Sequence, residues 1–133
     1  MTDFRTVTDR FSVSPQISTA DVAAAAAQGF SLIINNRPDG EAPGQPTSAE
    51  MEAAVRAAGL DYLYAPVVGR PGPAQVEAVH EAVAAAKGKV LAYCRSGTRS
   101  ICTWAIGEAG SVDRGELLRL GAAAGYDLSP VLG

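Results

Sequence analysis

The segment Tyr93–Ser100, YCRSGTRS, places a cysteine between an apolar run and a loop of glycine, hydroxyl side chains and two arginines. Cys94 ends the run KVLAYC, and Arg95 and Arg99 follow it within five positions. A thiol there lies close to backbone N–H groups, to the positive end of a following helix and to two permanent cations. Such surroundings favour the thiolate over the thiol. Cys94 is therefore predicted to be a nucleophile that is ionised at neutral pH.

The other residues of this loop suit the binding of an anion. Gly97 permits a tight turn and a close approach of the backbone to a ligand. Arg99 offers a planar pair of donors that matches a tetrahedral oxyanion or a sulfonyl group, and the Ser100 hydroxyl can donate to the Cys94 sulfur. The alternative is a buried core cysteine followed by an ordinary turn. The compact pattern Cys-x-x-Gly-x-Arg-Ser, between a strand and a helix, favours the active loop.

Helices and strands alternate along the chain, and capping residues and glycines mark their ends. The predicted helices run from the Ser18–Asp21 capping box to Gln28, from Thr47 or Ser48 to Gly59, from Pro73 to Lys87, over about ten residues after the cysteine loop, and from the Asp113–Glu116 box. The predicted strands are FSLIINN, DYLYAPV and KVLAYC, with a further edge strand at Arg10–Ser14. This alternation predicts an α/β fold with a mainly parallel central sheet flanked by helices.

Composition limits the classes of protein to consider. The chain has 133 residues, of which 47% are hydrophobic, so residues 1–133 are expected to form one domain. A net charge of -3 argues against a nucleic-acid or membrane partner. The N-terminal sequence MTDFRTVTDRF has no apolar segment, which favours the cytoplasm, where the two cysteines stay reduced. Their spacing does not fit a zinc site, so no metal or cofactor is expected.

Most of the chain resembles a known family. FSVSPQIS, SLIINNRPDGE, AAGLDYLYAPV and AYCRSGTRSICTWA resemble the phosphatase-like domain of the beta-lactamase hydrolase-like proteins, bacterial relatives of the dual-specificity cysteine phosphatases. The resemblance implies a dual-specificity-phosphatase-like fold that hydrolyses phosphomonoesters. It makes Cys94 the nucleophile that forms a phosphocysteine, Arg99 the ligand of the transferred group, and Ser100 the hydroxyl that helps to release it. It also makes the backbone of the intervening residues, Arg95, Ser96, Gly97 and Thr98, the oxyanion cradle.

The chain departs from the phosphatase pattern in two ways. Only four residues, RSGT, separate Cys94 from Arg99, one fewer than in cysteine phosphatases, and this length resembles the persulfide-carrying loop of single-domain rhodaneses. The segment APVVGRPGP also lacks the aspartate that protonates the leaving oxygen in the phosphatases. Such general-acid help is typically worth ~10²- to 10⁴-fold. Sulfane-sulfur transfer needs no acid, so a sulfurtransferase is the second hypothesis and a non-catalytic phosphate-binding module is the third.

The loop NNRPDGE offers a substitute for the missing acid. It follows a predicted strand, so Asp39 or Glu41 can face the same edge of the sheet as Cys94, with Arg37 as a second ligand of the anion. The alternative is a surface turn, because Pro-Asp-Gly is a strong turn signal. In the next loop, Arg70 is either a contact for an anionic substrate or a solvated residue. The expected substrate is a small phosphorylated or sulfur-donating compound or a phosphoprotein, and the oligomeric state is left open.

Overall fold

The computed structural model describes residues 2–132. The strands are β1 (Arg5–Thr6), β2 (Phe11–Ser14), β3 (Phe30–Asn35), β4 (Asp61–Tyr64) and β5 (Lys89–Tyr93). The helices are α1 (Thr19–Ala27), α2 (Ser48–Ala57), α3 (Pro73–Ala85), α4 (Thr98–Glu108), α5 (Arg114–Ala123) and α6 (Ser129–Leu132). The predicted alternation of strands and helices is therefore confirmed.

The five strands form one sheet in the order β1-β2-β5-β3-β4. Strands β2, β5, β3 and β4 are parallel, and β1 is antiparallel to β2, so the sheet is mixed. The prediction that Arg10–Ser14 forms an edge strand is wrong, because Phe11–Ser14 pairs on both sides. All four residues of β2 are buried, as expected inside a sheet. The edge position belongs to the two-residue strand β1, which is too short to show a hydrophobic period in the sequence.

Local signals set the start of the first two helices. Ser18 accepts a hydrogen bond from the backbone of Asp21, whose carboxylate bonds back to Ser18 and completes a capping box. Thr47 and Glu50 form the same arrangement ahead of α2. The predicted third helix is shorter than expected, since α3 ends at Ala85 rather than Lys87. The short helix α6 was not predicted, because four residues give no detectable period.

Apolar layers cover both faces of the sheet. The alternation of side chains along the central strands sends Ile33 and Leu91 to the α1–α2 face, and Ile34 and Ala92 to the face that packs against α3, α4 and α5. Since β3, β4 and β5 are parallel, the loops that follow them all begin at one edge of the sheet. This edge brings together the loops that contain the predicted site residues. The longest helix between residues 2 and 132 has 13 residues, and none has the length and apolarity needed to cross a membrane.

Replacing Leu91 with alanine should strongly destabilise the fold. Leu91 is fully buried in the central strand β5, so the truncation leaves a cavity and should lower the free energy of unfolding by about 2–5 kcal/mol. Urea denaturation followed by far-ultraviolet circular dichroism measures this change. The matched control is Val68→Ala, since Val68 is 82% exposed and its truncation should cost less than about 0.5 kcal/mol. Equal costs for the two variants would contradict this description of the core.

Candidate active site

The cysteine loop, residues 94–99, connects the end of β5 to the first turn of α4. Cys94 is fully buried, and the backbone N–H of Gly97 donates a hydrogen bond to its sulfur over 3.1 Å. Gly97 precedes α4 with a φ of +92°, a left-handed conformation that favours glycine. A side chain at this position would also collide with the Tyr126 hydroxyl. The sulfur therefore lies at a helix N-terminus with an amide directed at it, as the sequence predicted.

Two contacts from distant parts of the chain hold the cysteine loop in place. The Tyr126 hydroxyl donates to the carbonyl of Ser96 over 2.8 Å, and the N–H of Gln16 donates to the carbonyl of Arg95 over 3.2 Å. Because both loop carbonyls bond to residues outside the loop, their peptide groups are held in a fixed orientation. Sequence reasoning missed Tyr126 and Gln16, since both are distant in sequence and carry no motif.

Arg99 is held by three hydrogen bonds. Its Nη1 and Nη2 donate to the two carboxylate oxygens of Glu41, at 2.7 and 2.8 Å, and Nη1 also donates to the carbonyl of Val67 at 2.9 Å. These bonds occupy the Nη1–Nη2 end of the guanidinium group. The edge formed by the Nε–H and the second N–H of Nη2 is left to donate to another anion. The hydrogen bonds that Arg99 donates to Glu41 raise the pKa of Arg99 above its ordinary value; burial opposes this effect, and Cys94 adds to it. Arg99 is the last residue of the cysteine loop, five positions after Cys94.

Glu41 joins Arg99 to Arg37. The Nε of Arg37 donates to Glu41 over 3.0 Å, and Nη1 of the same side chain donates to the side-chain Oε1 of Gln16 over 3.1 Å. The hydrogen bonds from Arg99 lower the pKa of Glu41 to about 2; burial opposes this effect, and Arg37 adds to it. Glu41 is therefore a carboxylate at neutral pH that is suited to fixing arginines and unsuited to donating a proton. Arg37 is buried and engaged in these bonds.

Asp39 lies in the same loop as Glu41 but makes different contacts. Its carboxylate accepts a hydrogen bond from the N–H of Ser48 over 2.8 Å, and its own N–H donates to the Tyr64 hydroxyl over 3.0 Å. Both bonds hold the exposed part of the RPDGE turn against the start of α2 and the end of β4. No contact found within residues 2–132 joins Asp39 to the cysteine loop. Its role as a proton donor stays a prediction.

Two buried oxygens near Cys94 lack partners among the described residues. Ser100 is fully buried and its hydroxyl makes no hydrogen bond there, so the predicted bond to the Cys94 sulfur is not formed. Asn36 lies beside Cys94, because its N–H bonds to the carbonyl of Tyr93 on the neighbouring strand. Its side-chain nitrogen donates to the carbonyl of Ala65, which leaves its amide oxygen unpaired. Sequence reasoning missed Asn36. The signal that could have found it is the pair of asparagines formed by Asn35, the last residue of β3, and Asn36.

The remaining loop residues face outward. Arg95, Ser96 and Thr98 are exposed, and the Ser96 hydroxyl donates to that of Thr98 over 3.0 Å. Cys102, on the next turn of α4, is a buried free thiol, and burial raises its pKa. No group of three or more His, Cys, Asp and Glu side chains placed to hold a metal ion occurs between residues 2 and 132.

Comparison with known proteins identifies relatives of the chain. The family described as beta-lactamase hydrolase-like protein, phosphatase-like domain, matches residues 3–111. Beta-lactamase hydrolase-like proteins of Agrobacterium fabrum and Xylella fastidiosa are 39% and 40% identical over 125 residues, which are 92% of this chain and 29% of each relative. The chain thus spans less than a third of the length of these relatives.

Solved structures show the same fold. A candidate phosphatase from Neisseria meningitidis is 30% identical, with a TM-score of 0.86 and coverage of 99% of this chain and 95% of that one. TpbA of P. aeruginosa, crystallised in complex with phosphotyrosine, has a TM-score of 0.67, with coverage of 93% and 75%. At 17% identity the second likeness concerns the fold alone. The α/β fold is therefore that of phosphatases.

Replacing Glu41 with glutamine should change how stability depends on pH. A carboxyl whose pKa is about 2 when folded and near 4.5 when unfolded contributes stability that is present above about pH 4.5. That contribution is lost as the pH falls towards about 2. Wild type should therefore lose more of its free energy of unfolding over this range than Glu41→Gln does, as measured by urea denaturation at successive pH values. Glu81→Gln, at an exposed position of α3, should behave as wild type. Parallel profiles for wild type and Glu41→Gln would show that the ion pairs with Glu41 do not stabilise the fold.

Proposed function

Since the chain belongs to the phosphatase-like domain family of the beta-lactamase hydrolase-like proteins, we propose that it is a cysteine-dependent hydrolase of phosphomonoesters. One observation carries this proposal. The Cys94 sulfur accepts the Gly97 N–H at the start of α4, and Arg99, at the end of the same loop, is held by Glu41 with one edge of its guanidinium left for an anion. In this proposal Cys94 is the nucleophile and Arg99 is the ligand of the oxyanion.

The first step transfers the phosphoryl group to the protein. The Cys94 thiolate attacks phosphorus, the sulfur–phosphorus bond forms, and the bond from phosphorus to the ester oxygen breaks with its electron pair on that oxygen. The phosphoryl oxygens bind the backbone N–H groups of the cysteine loop and the open edge of Arg99. Glu41 acts on this step through Arg99, because its carboxylate determines which edge of the guanidinium faces the phosphoryl group.

The second step regenerates the thiolate. A water molecule attacks phosphorus, the sulfur–phosphorus bond breaks with its electron pair returning to the sulfur, and inorganic phosphate leaves with both hydrogens of the water on its oxygens. Supporting a role for Ser100 here, its buried hydroxyl has no partner among the described residues, so its hydrogen is available to the departing sulfur. We assign Ser100 this role as part of the proposal.

The leaving oxygen lacks an evident proton donor. Residues 65–73, which follow β4, contain no carboxylate, and the pKa of Glu41 near 2 keeps it ionised. The reaction should therefore favour esters whose alcohol leaves readily as an anion, such as aryl phosphates.

A second candidate function is sulfane-sulfur transfer. The observation that favours it is the same shortage of a proton donor, together with the four-residue spacing between Cys94 and Arg99. The Cys94 thiolate would attack the outer sulfur of thiosulfate, the sulfur–sulfur bond would break, and sulfite would leave with the electron pair. An acceptor such as cyanide or a thiolate would then take the outer sulfur from the resulting persulfide and return the thiolate.

Parallel assays on wild type and Cys94→Ser separate the proposals. We expect wild type to hydrolyse 4-nitrophenyl phosphate and to be inhibited by vanadate. The kcat/KM should fall by at least ~10³-fold in Cys94→Ser, because a serine hydroxyl is far less ionised at neutral pH than a cysteine thiol. Formation of thiocyanate from thiosulfate and cyanide, lost in the same variant, would favour the sulfurtransferase. If the protein binds anions but turns over neither substrate, the remaining hypothesis is the non-catalytic phosphate-binding module.

The dependence on the leaving group tests Asp39. Because the described contacts of Asp39 all lie on the α2 and β4 side, we expect Asp39→Asn to change kcat/KM by the same small factor for 4-nitrophenyl and phenyl phosphate. A proton donor would behave differently, since the poorer leaving group depends on it more. A selective loss of activity toward phenyl phosphate in Asp39→Asn would establish Asp39 as the acid.

A further inference from the structure

A groove leads away from the cysteine loop along α4. Its first part is a cavity of about 290 Å³ that opens beside Arg99, and its second part is a cavity of about 490 Å³. The two parts share Arg70, Pro71 and Val131, so they adjoin between the β4–α3 loop, α3 and α6. We call the two parts together the α4 groove, and we refer to its lining residues Arg99, Cys102 and Ile106, which lie on α4, as its floor.

The size and lining of the α4 groove suit an organic group attached to a bound phosphate. The three floor residues recur every three to four positions, so they lie along one side of α4 over about 10 Å. Between the polar ends, the walls and floor are mainly apolar, with Pro71, Val131 and Ile106 facing the groove. A phosphate held by Arg99 would therefore have an apolar channel, long enough for an aromatic ring and a short substituent, directly beside it.

Arg70 is the cation that remains available in this groove. It is exposed, it lines both parts, and no hydrogen bond or ion pair is found for it within residues 2–132. The other arginine of the groove, Arg99, is held by Glu41. Of the two acidic side chains that line the groove, Asp127 accepts both the N–H and the hydroxyl of Ser129, and Glu77 is exposed at the far end. Arg70 is therefore the cation with which a carboxylate in the groove would pair.

We propose that the α4 groove holds the organic part of the substrate and that Arg70 selects substrates whose apolar organic part carries a carboxylate. The substrate class is then an aryl phosphate with an acidic substituent a few ångströms beyond the ring. This inference rests on the proposed function, since Arg99 must hold the phosphate at one end of the groove. Arg70 is a specificity-determining residue in this proposal and takes no part in bond breaking.

The kinetic test compares two substrates that differ in charge. We expect wild type to have a lower KM for the 3-carboxymethyl derivative of 4-nitrophenyl phosphate than for 4-nitrophenyl phosphate itself. Arg70→Gln should raise the KM for the derivative by about fivefold more than it raises the KM for the parent ester, the factor of one partly exposed ion pair, with a much smaller effect on either kcat. Arg70→Lys should recover part of the difference. Arg119→Gln removes an equal charge from the exposed side of α5 and should match wild type.

The outcomes also separate this inference from the proposed function. If wild type hydrolyses both esters without preference, or if Arg70→Gln raises the KM of both esters equally, the proposed role of Arg70 is wrong. The proposal of a hydrolase would still hold. If neither ester is hydrolysed, titration calorimetry on Cys94→Ser with benzylphosphonate and its 4-carboxymethyl derivative decides the matter. If Cys94→Ser binds the derivative more tightly than benzylphosphonate, and if adding Arg70→Gln removes this preference, the proposed role of the groove is supported. This holds even though the proposed hydrolase activity is then absent. Equal or absent binding of the two phosphonates would overturn the groove.

Filling the groove gives an independent check. Val131 is only partly buried on the rim, so Val131→Trp should leave the fold intact and place an indole in the groove. This variant should weaken binding of benzylphosphonate to Cys94→Ser and leave binding of inorganic phosphate unchanged. Equal binding of benzylphosphonate with and without the indole would contradict a role for the groove.

Discussion

The ion pair between Arg99 and Glu41 is the interaction on which the site depends. It connects the cysteine loop to the loop after β3, and through Arg37 and Gln16 it reaches the segment after β2. Three loops that follow three parallel strands are thereby tied together by charge-assisted hydrogen bonds. An unpaired arginine would search many rotamers, whereas this one presents a single edge to an anion. The carboxylate of Glu41 also competes for Arg99 with any anion that binds there.

The sheet makes this arrangement possible. Parallel strands end at one edge, so residues far apart in the chain, such as Glu41 and Arg99, become neighbours. The cysteine loop then depends on contacts outside the sheet, because the carbonyls of Arg95 and Ser96 are bonded by Gln16 and Tyr126. Fixing those peptide groups keeps the loop amides in an orientation that suits an anion before it arrives. Preorganisation thus comes from residues that have no chemical role themselves.

Much of this could be predicted from the sequence, and the failures have physical causes. The capping pairs Ser18–Asp21 and Thr47–Glu50 were predicted because both partners lie within one turn. The cysteine loop was predicted because strand, glycine and helix follow in order. The position of β2 inside the sheet could not be predicted, since the pairing with β1 and β5 is set by topology. The partner of Glu41 was missed for a similar reason, because a charge pair separated by 58 positions leaves no local pattern.

The length of the cysteine loop bears on which donor the site accepts. With four residues between Cys94 and Arg99, fewer amides converge on the sulfur than in a longer loop, so more of the charge of a trianionic transition state must be balanced by Arg99. Glu41 already takes up part of the positive charge of Arg99. The site therefore suits a donor whose leaving group needs no proton. Aryl phosphates and thiosulfate both meet this condition, which is why the Cys94→Ser comparison needs both substrates.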